Sequence, residues 1–325
     1  GVATLQIPDL NAGSFDIILS YVANDSSYEN YEELYTLDIN KLNVTFNIGV
    51  DENVYGEIAK INVNVTGNGK PVNSGNVSTV VNNVTYSANV VDGVATLQIP
   101  DLNAGSFDII LSYVDNDSNY NNSSESYTLV INKQNVEITA KDASFIINYG
   151  GKYSTTLKDS NGNAVAGEKV TFTLSGKALG SAVTNANGIA TVSITAKALK
   201  SAKAGKKNMV ITLTSNNYNA QAKTVKITIN KEKTKITAKN KKFKKSKKTK
   251  KYTISLKKSK GKAVKKVKVT LKVKVKIYTA KTNAKGKATF KIKKLTKKGK
   301  HTATIKFKGN AYYIKSSKKV KITIK

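Results

Sequence analysis

Lysine at alternate positions is the chemistry written most densely into this chain. Between Val267 and Ile277 every odd-numbered residue is apolar, and every even-numbered one is lysine except Thr270. In an extended strand such residues point opposite ways and recur about 7 Å apart on each side. One face would enter a core while the other presents a comb of ammonium groups. The same split sets Ala288, Phe290 and Ile292 against Lys287, Lys291 and Lys293, and Ile305 and Phe307 against Lys306 and Lys308. The stretch Lys239–Lys251 is denser still, with nine lysines in thirteen residues. Ammonium groups stay charged at neutral pH, and rows of them hold anions. The candidate polyanion contacts are therefore Lys244, Lys245, Lys247, Lys248, Lys268, Lys272, Lys274, Lys276, Lys291, Lys293, Lys306 and Lys308.

Charge is sorted along the chain. Residues 1–40 carry no lysine and seven acids, and residues 41–132 three lysines and nine acids. Residues 133–230 carry 13 lysines and four acids, and residues 231–325 carry 38 lysines and one acid, Glu232. The formal net charge of +33 is thus an average over an acidic start and a polycationic end. A solvated strand face is the ordinary reading of charged strand residues, but ordinary surfaces mix signs and this one does not. Nucleic acid is one polyanion that would suit it. Against that, the chain has no arginine for bidentate base and phosphate contacts. Its aromatics Phe243, Phe290 and Phe307 also fall in core phase instead of forming stacking platforms.

Other chemistry is thinly represented. With no cysteine, neither disulfides nor thiolate metal sites are open to the chain. His301 is the single histidine and has no recognisable partner for a metal site or a catalytic triad. The run Asp115-Asn-Asp-Ser-Asn119 begins like a calcium loop. It then places Tyr120 at the sixth position and Ser126 at the twelfth, where glycine and glutamate belong, so a polar turn is the better reading. Glu232 stands alone in its region, which excludes paired-carboxylate catalysis there. No catalytic constellation emerges, and no motif calls for a cofactor. Eight Asn-x-Ser/Thr sequons occur, at Asn24, Asn43, Asn64, Asn76, Asn83, Asn116, Asn121 and Asn122, all before residue 133. They are candidate N-glycosylation sites, and their segregation suggests that the acidic half faces outward.

The elements that would position the lysines are repeats. A seven-residue phrase opens at Gly1 and recurs at Gly93, Gly188 and Gly286, each time setting Ala, a large apolar residue and Ile on one face against mostly polar residues on the other. A turn former precedes glycine at Asp92-Gly93, Asn187-Gly188 and Lys285-Gly286. Each repeat closes on a strand pattern, and the first three run straight into Lys41, Lys133 and Lys231. Strand patterns with frequent turn signals and no helical period predict an all-β fold of tandem antiparallel sandwiches. The boundaries fall at 1–40, 41–132, 133–230 and 231–325. With no Pro-, Gly- or Ser-rich linker between them, an elongated rod is expected. Residues 1–22 duplicate residues 93–114, so the first unit is the later part of a domain, expected to supply about three strands. It is expected to be poorly ordered or completed by a neighbour, and the chain to belong to something longer. No stretch approaches the ~18 apolar residues of a membrane helix.

The pairing of Asp159-Ser-Asn-Gly-Asn-Ala-Val165 and Val170-Thr-Phe172 with Thr184-Asn-Ala-Asn-Gly-Ile-Ala-Thr-Val192 resembles the Ig-like repeats of invasin/intimin-type surface proteins. The lysine-rich last unit, with Phe307-Lys-Gly-Asn-Ala-Tyr-Tyr313, resembles the C-terminal part of adhesin-like proteins of methanogenic archaea. The resemblance implies an extracellular, non-enzymatic stalk displayed at the cell surface, with its C-terminal repeats in the wall. There the lysines would meet an anionic wall polymer, and a region before residue 1 would meet surface ligands of another cell. The rival readings are a nucleic-acid or polyanion-binding protein, and the non-catalytic repeats of a wall-modifying enzyme. Were Lys325 the natural terminus, attachment would be electrostatic and not covalent.

Overall fold

Alternating apolar residues become strands in this chain wherever a partner strand is there to receive them. The computed structural model describes residues 1–325, and its regular elements are β-strands apart from one short helix. Its contacts divide into two compact units, residues 1–135 with 215–219, and residues 136–214 with 220–325. No helix is long and apolar enough to cross a membrane.

In the first unit, strands between Val44 and Asn132 make an acidic two-sheet sandwich. One sheet runs in the order Asn53–Val54, Ser123–Asn132, Gly105–Val114, Asn76–Val81, Val84–Asn89. The other is built on Ala59–Gly67, which pairs with Val44–Ile48 and Val94–Ile99. Its core includes Ile61, Val63, Leu97, Leu111 and Leu129, all fully buried. Each such side chain is worth about 1.5–3 kcal/mol in burial.

Residues 1–40 depart from expectation. They form two strands, not three: Gly13–Tyr21 and Tyr31–Ile39, paired only with each other. The phrase Gly1–Ile7 is no strand at all, and Val2 and Leu5 are 98% and 74% exposed. Its identical copy forms the strand Val94–Ile99 by pairing with Ala59–Gly67, from Ala59↔Ile99 to Asn64↔Val94. Residues 1–40 contain no counterpart of that partner. No other strand of the chain pairs with the hairpin.

Two further sandwiches share one plan. The middle one pairs the sheet Ala143–Ile146, Lys223–Asn230, Gly205–Thr214, Lys169–Leu174, Lys177–Val183 with a second sheet of Ile189–Ile194, Gly151–Asp159, Gln134–Thr139 and Tyr218–Asn219. The lysine-rich one repeats the order as Lys241–Phe243, Ser316–Ile324, Gly299–Phe307, Lys268–Val273, Lys276–Lys281, packed on Thr234–Thr237, Thr249–Lys258 and Lys287–Lys293. An anchor recurs at the same place in both: the Tyr153 hydroxyl donates to the Lys141 carbonyl at 2.6 Å, and the Tyr252 hydroxyl to the Lys239 carbonyl at 2.7 Å. Only the middle sandwich carries a helix, Ala196–Ala202, whose N-cap Thr195 accepts from the Ala198 N–H.

The lysine comb also needs correction. Val267–Ile277 is not one strand but most of a hairpin, Lys268–Val273 paired with Lys276–Lys281 around Lys274-Val275. Before the turn the phase is as expected: Val269, Leu271 and Val273 are at most 2% exposed. Beyond it the phase is lost, with Val275 88% and Ile277 64% exposed. The turn falls where the middle sandwich has Ser175-Gly176 and the acidic one Asn82-Asn83. Both of those pairs are common turn residues, which Lys274-Val275 is not.

Candidate polyanion-binding surface

Strand pairing decides which lysines share a face. In an antiparallel ladder, directly opposite residues point to the same side. Leu271 lies opposite Ile305 in the core, so Thr270 opposite Lys306 and Lys272 opposite Thr304 face outward. The next strand continues these rungs with Ser317 opposite Lys306, Lys319 opposite Thr304 and Lys321 opposite Thr302. The outer face of the five-stranded sheet is therefore a field of lysine and threonine. Hydroxyls separate some of the charges, and the Lys321 Nζ donates to the Thr302 Oγ1 at 2.8 Å.

Across this face runs a groove of about 1200 Å³. Lys266, Lys268, Lys272, Lys274, Lys306 and Lys308 line it together with Thr270, Thr279, Thr302 and Thr304, and no acid reaches it. The one acid of the region, Glu232, is fully buried elsewhere. It accepts from the Tyr149 hydroxyl and from the Asn148 Nδ2 at 2.8 Å, with the Lys258 ammonium 3.8 Å away. Burial and the Glu232 carboxylate push the Tyr149 phenol up to about 12. The exposed surface of the lysine-rich sandwich is therefore of a single sign.

The middle sandwich shows what the same fold looks like without this surface. Its counterparts to Lys272, Lys306 and Lys308 are Thr173, Thr212 and Thr214. The counterpart to Lys266 is Gly167, each donating its backbone N–H to a threonine carbonyl, Thr282 and Thr184 respectively, at 2.8 Å. Gly167 has φ +79°, and Lys266 holds nearly the same left-handed backbone at φ +55°. A residue with a Cβ is strained there by roughly 1–2 kcal/mol. A lysine thus stands where the backbone favours glycine.

All twelve lysines singled out from the sequence are exposed, but they do not form one patch. Lys268, Lys272, Lys274, Lys306 and Lys308 meet in the groove. Lys291 and Lys293 lie on the outer face of the opposite sheet. Lys244, Lys245, Lys247 and Lys248 crowd the turn before Thr249. Lys276 sits at the hairpin tip opposite the buried Val273, on the core side of the sheet rather than on the comb. Sequence reading missed Lys266, whose signal was its alignment with Gly167. It also missed that Lys250, within the densest lysine run, is 1% exposed and donates to the Lys247 carbonyl at 2.7 Å.

The remaining candidates are placed as follows. Asp115 spends its oxygens within the chain: Oδ1 accepts from Ser74 and Tyr113 at 2.8 and 3.2 Å, and Oδ2 from the Tyr120 N–H at 2.8 Å. Burial works against the charged form, yet these bonds hold its carboxyl below the usual value. The His301 Nε2 lies 2.7 Å from the Lys297 carbonyl. Seven sequon asparagines are exposed, namely Asn24, Asn43, Asn64, Asn83, Asn116, Asn121 and Asn122, while Asn76 is half-buried at the start of a strand. Phe243, Phe290 and Phe307 are buried in the core.

No family model and no curated protein matches the chain. Solved structures similar to it include a tetra-tandem repeat from the extending region of a large adhesion protein, at 15% identity over 99% of this chain and 84% of that one, TM-score 0.43. Another is a Ca2+-stabilized adhesin with which an Antarctic bacterium binds ice, at 16% identity over 96% and 82%, TM-score 0.31. A third is invasin, a bacterial integrin-binding protein, at 15% identity over 86% and 60%, TM-score 0.36. Tandem Ig-like domains of adhesins and related proteins are what this chain is similar to.

Proposed function

We propose that the chain is a non-enzymatic, adhesin-like stalk of the extracellular surface whose lysine-rich sandwich holds an anionic cell-wall polymer by charge. The observation that carries this reading is Lys266, a cation kept at a left-handed backbone position where the middle sandwich uses glycine. A merely solvated surface gives no reason to accept that strain. An unspecific field of point charges is what an irregular anionic polymer requires, and lysine supplies it without the geometric demands of arginine. The acidic, sequon-bearing half would face outward, and recognition of other cells would belong to further parts of such a protein.

Nucleic acid is the rival polyanion. The burial of Phe243, Phe290 and Phe307 speaks against it, because single-stranded binders present aromatic rings to the bases. The test is retention of the full chain on purified anionic wall polymer, with and without competing DNA at physiological salt. A variant carrying Lys266→Gly, Lys272→Thr, Lys306→Thr and Lys308→Thr gives the groove the middle sandwich's residues. By analogy with counterion release from single strands, losing four contacts should flatten the slope of log K against log salt by about 3. Unchanged retention, or complete displacement by DNA, would sink the reading.

A further inference from the structure

Equivalent junctions along the chain are closed in two places and open in a third. Asn119 accepts from the Ala12 N–H at 2.8 Å and donates to the Asn11 Oδ1 at 3.2 Å. Asn217 does the same one repeat later, accepting from the Ala104 N–H at 3.0 Å and donating to the Asn103 Oδ1 at 3.1 Å. The position after these is fixed by the backbone: the carbonyls of Asn119, Asn217 and Tyr312 accept from the N–H groups of Leu42, Gln134 and Glu232. Tyr312 therefore stands where the other junctions have asparagine. On the facing side, Lys203-Ala204-Gly205 stands where they have Asn11-Ala12-Gly13 and Asn103-Ala104-Gly105. Both members of the amide pair have been replaced at once.

The replacement leaves a hollow of about 300 Å³, lined by Lys200, Lys203, Lys231, Ile147 and the Tyr312 ring among others, and by no acid. The Lys200 ammonium lies 5.6 Å from the centroid of that ring, so cation and aromatic face bound the same space. Lys203 holds φ +66°, another lysine in left-handed backbone. At the matching junction one repeat earlier, Lys133 is tied down by donating to the Ser215 carbonyl at 2.9 Å, whereas its counterpart Lys231 lines the hollow. The walls are held in place next door, where the buried Glu232 joins Asn148 and Tyr149 of the middle sandwich to Lys258 of the lysine-rich one.

We infer that this hollow is a binding site for a single acidic sugar residue, a pyranose bearing a carboxylate or a phosphate. Three ammonium groups with no acid among them select an anion. The Tyr312 ring, 39% exposed over the buried Ile147, offers an apolar surface that a bare inorganic anion would leave uncovered but a sugar's C–H face would cover. The volume sits at the bottom of the small-molecule range, enough for one ring and not for an oligomer. The assignment to a wall glycan rests on the function proposed above, whereas the site itself rests on the junction geometry. The lysine field would then supply unspecific retention, and this hollow a choice among anionic polymers.

The test uses the full chain and four probes: glucuronic acid, glucose 1-phosphate, glucose and inorganic phosphate, followed by saturation-transfer NMR and titration calorimetry. At least one acidic sugar should bind tenfold or more tightly than both glucose and inorganic phosphate, and the better of the two identifies the acid. Tyr312→Asn, which restores the asparagine of the other junctions, should weaken that binding at least tenfold. Lys231→Ala, at an exposed position, should weaken it severalfold with no change in unfolding. The groove variant Lys272→Thr/Lys306→Thr should leave it untouched while lowering retention on the wall polymer. Equal binding of glucose or of inorganic phosphate would overturn the site, as would acidic-sugar binding that survives both junction variants. No acidic-sugar binding by the unaltered chain, with polymer retention intact, would count against the hollow alone, and sugar binding without polymer retention against the electrostatic anchor alone.

Discussion

Lys266 ties charge to backbone at the scale of a single residue. Its left-handed conformation costs roughly 1–2 kcal/mol relative to glycine, but glycine would lose about 0.4–1 kcal/mol more in freezing a freer unfolded chain. The difference leaves Lys266→Gly stabilising by about 0.5–1 kcal/mol in urea unfolding, while binding to anionic polymer weakens. A variant that bound less tightly and was also less stable would show that the lysine fits its backbone and is not strained there. Tyr149 makes a second residue-scale case. Its phenol is raised to about 12 by burial and by the carboxylate of Glu232. An unfolded tyrosine ionises near 10. The contact's contribution to stability should therefore be intact below pH 10 and be lost as the pH rises from 10 toward 12. Tyr149→Phe should remove one late-ionising phenol from a spectrophotometric titration and flatten the alkaline fall in stability over that window. An unchanged titration would mean that the phenol is not held by Glu232.

The same heptapeptide, read as an element, has two fates. Leu97 is fully buried in a strand, and its duplicate Leu5 is 74% exposed in none. Local propensity is identical, so the partner strand alone decides. Leu97→Asp should unfold the acidic sandwich by burying an unpaired charge, while Leu5→Asp should leave the unfolding curve in place. Circular dichroism on the two variants measures this, and equal effects would refute the pairing account. The lysine comb illustrates the same limit of sequence. Alternation read the faces of Val269, Leu271 and Val273 correctly because each enters a core that any strand of that period would need. It could not see the turn at Lys274-Val275, since the residues that mark it in the other sandwiches, Ser175-Gly176 and Asn82-Asn83, have been replaced. The groove was legible only in part for a related reason. Lys268 and Lys272 lie on one strand, but Lys306 and Lys308 reach them through a pairing 36 residues distant in sequence at Thr270↔Lys306. Strand periodicity carries no information about which strands become neighbours.

Charge and stability meet at the scale of the molecule. The lysine-rich sandwich keeps its 38 cations around a core whose single acid is buried, so its compact state works against its own repulsion. A polyanion that binds the folded surface relieves that repulsion and stabilises by mass action, about 2.7 kcal/mol at a hundredfold excess over Kd. Hydrogen exchange on the full chain with polyphosphate as the probe can locate the effect. Protection should rise by that amount in globally opening amides of Lys268–Val273 and Gly299–Phe307, and stay level in Gly105–Val114 of the acidic sandwich. Sodium chloride at matched ionic strength should reproduce only part of the gain, because it screens the repulsion without binding the folded surface. Protection spread evenly over both units, or matched by simple salt, would reduce the lysine surface to a solvated coat and leave the anchoring role without support.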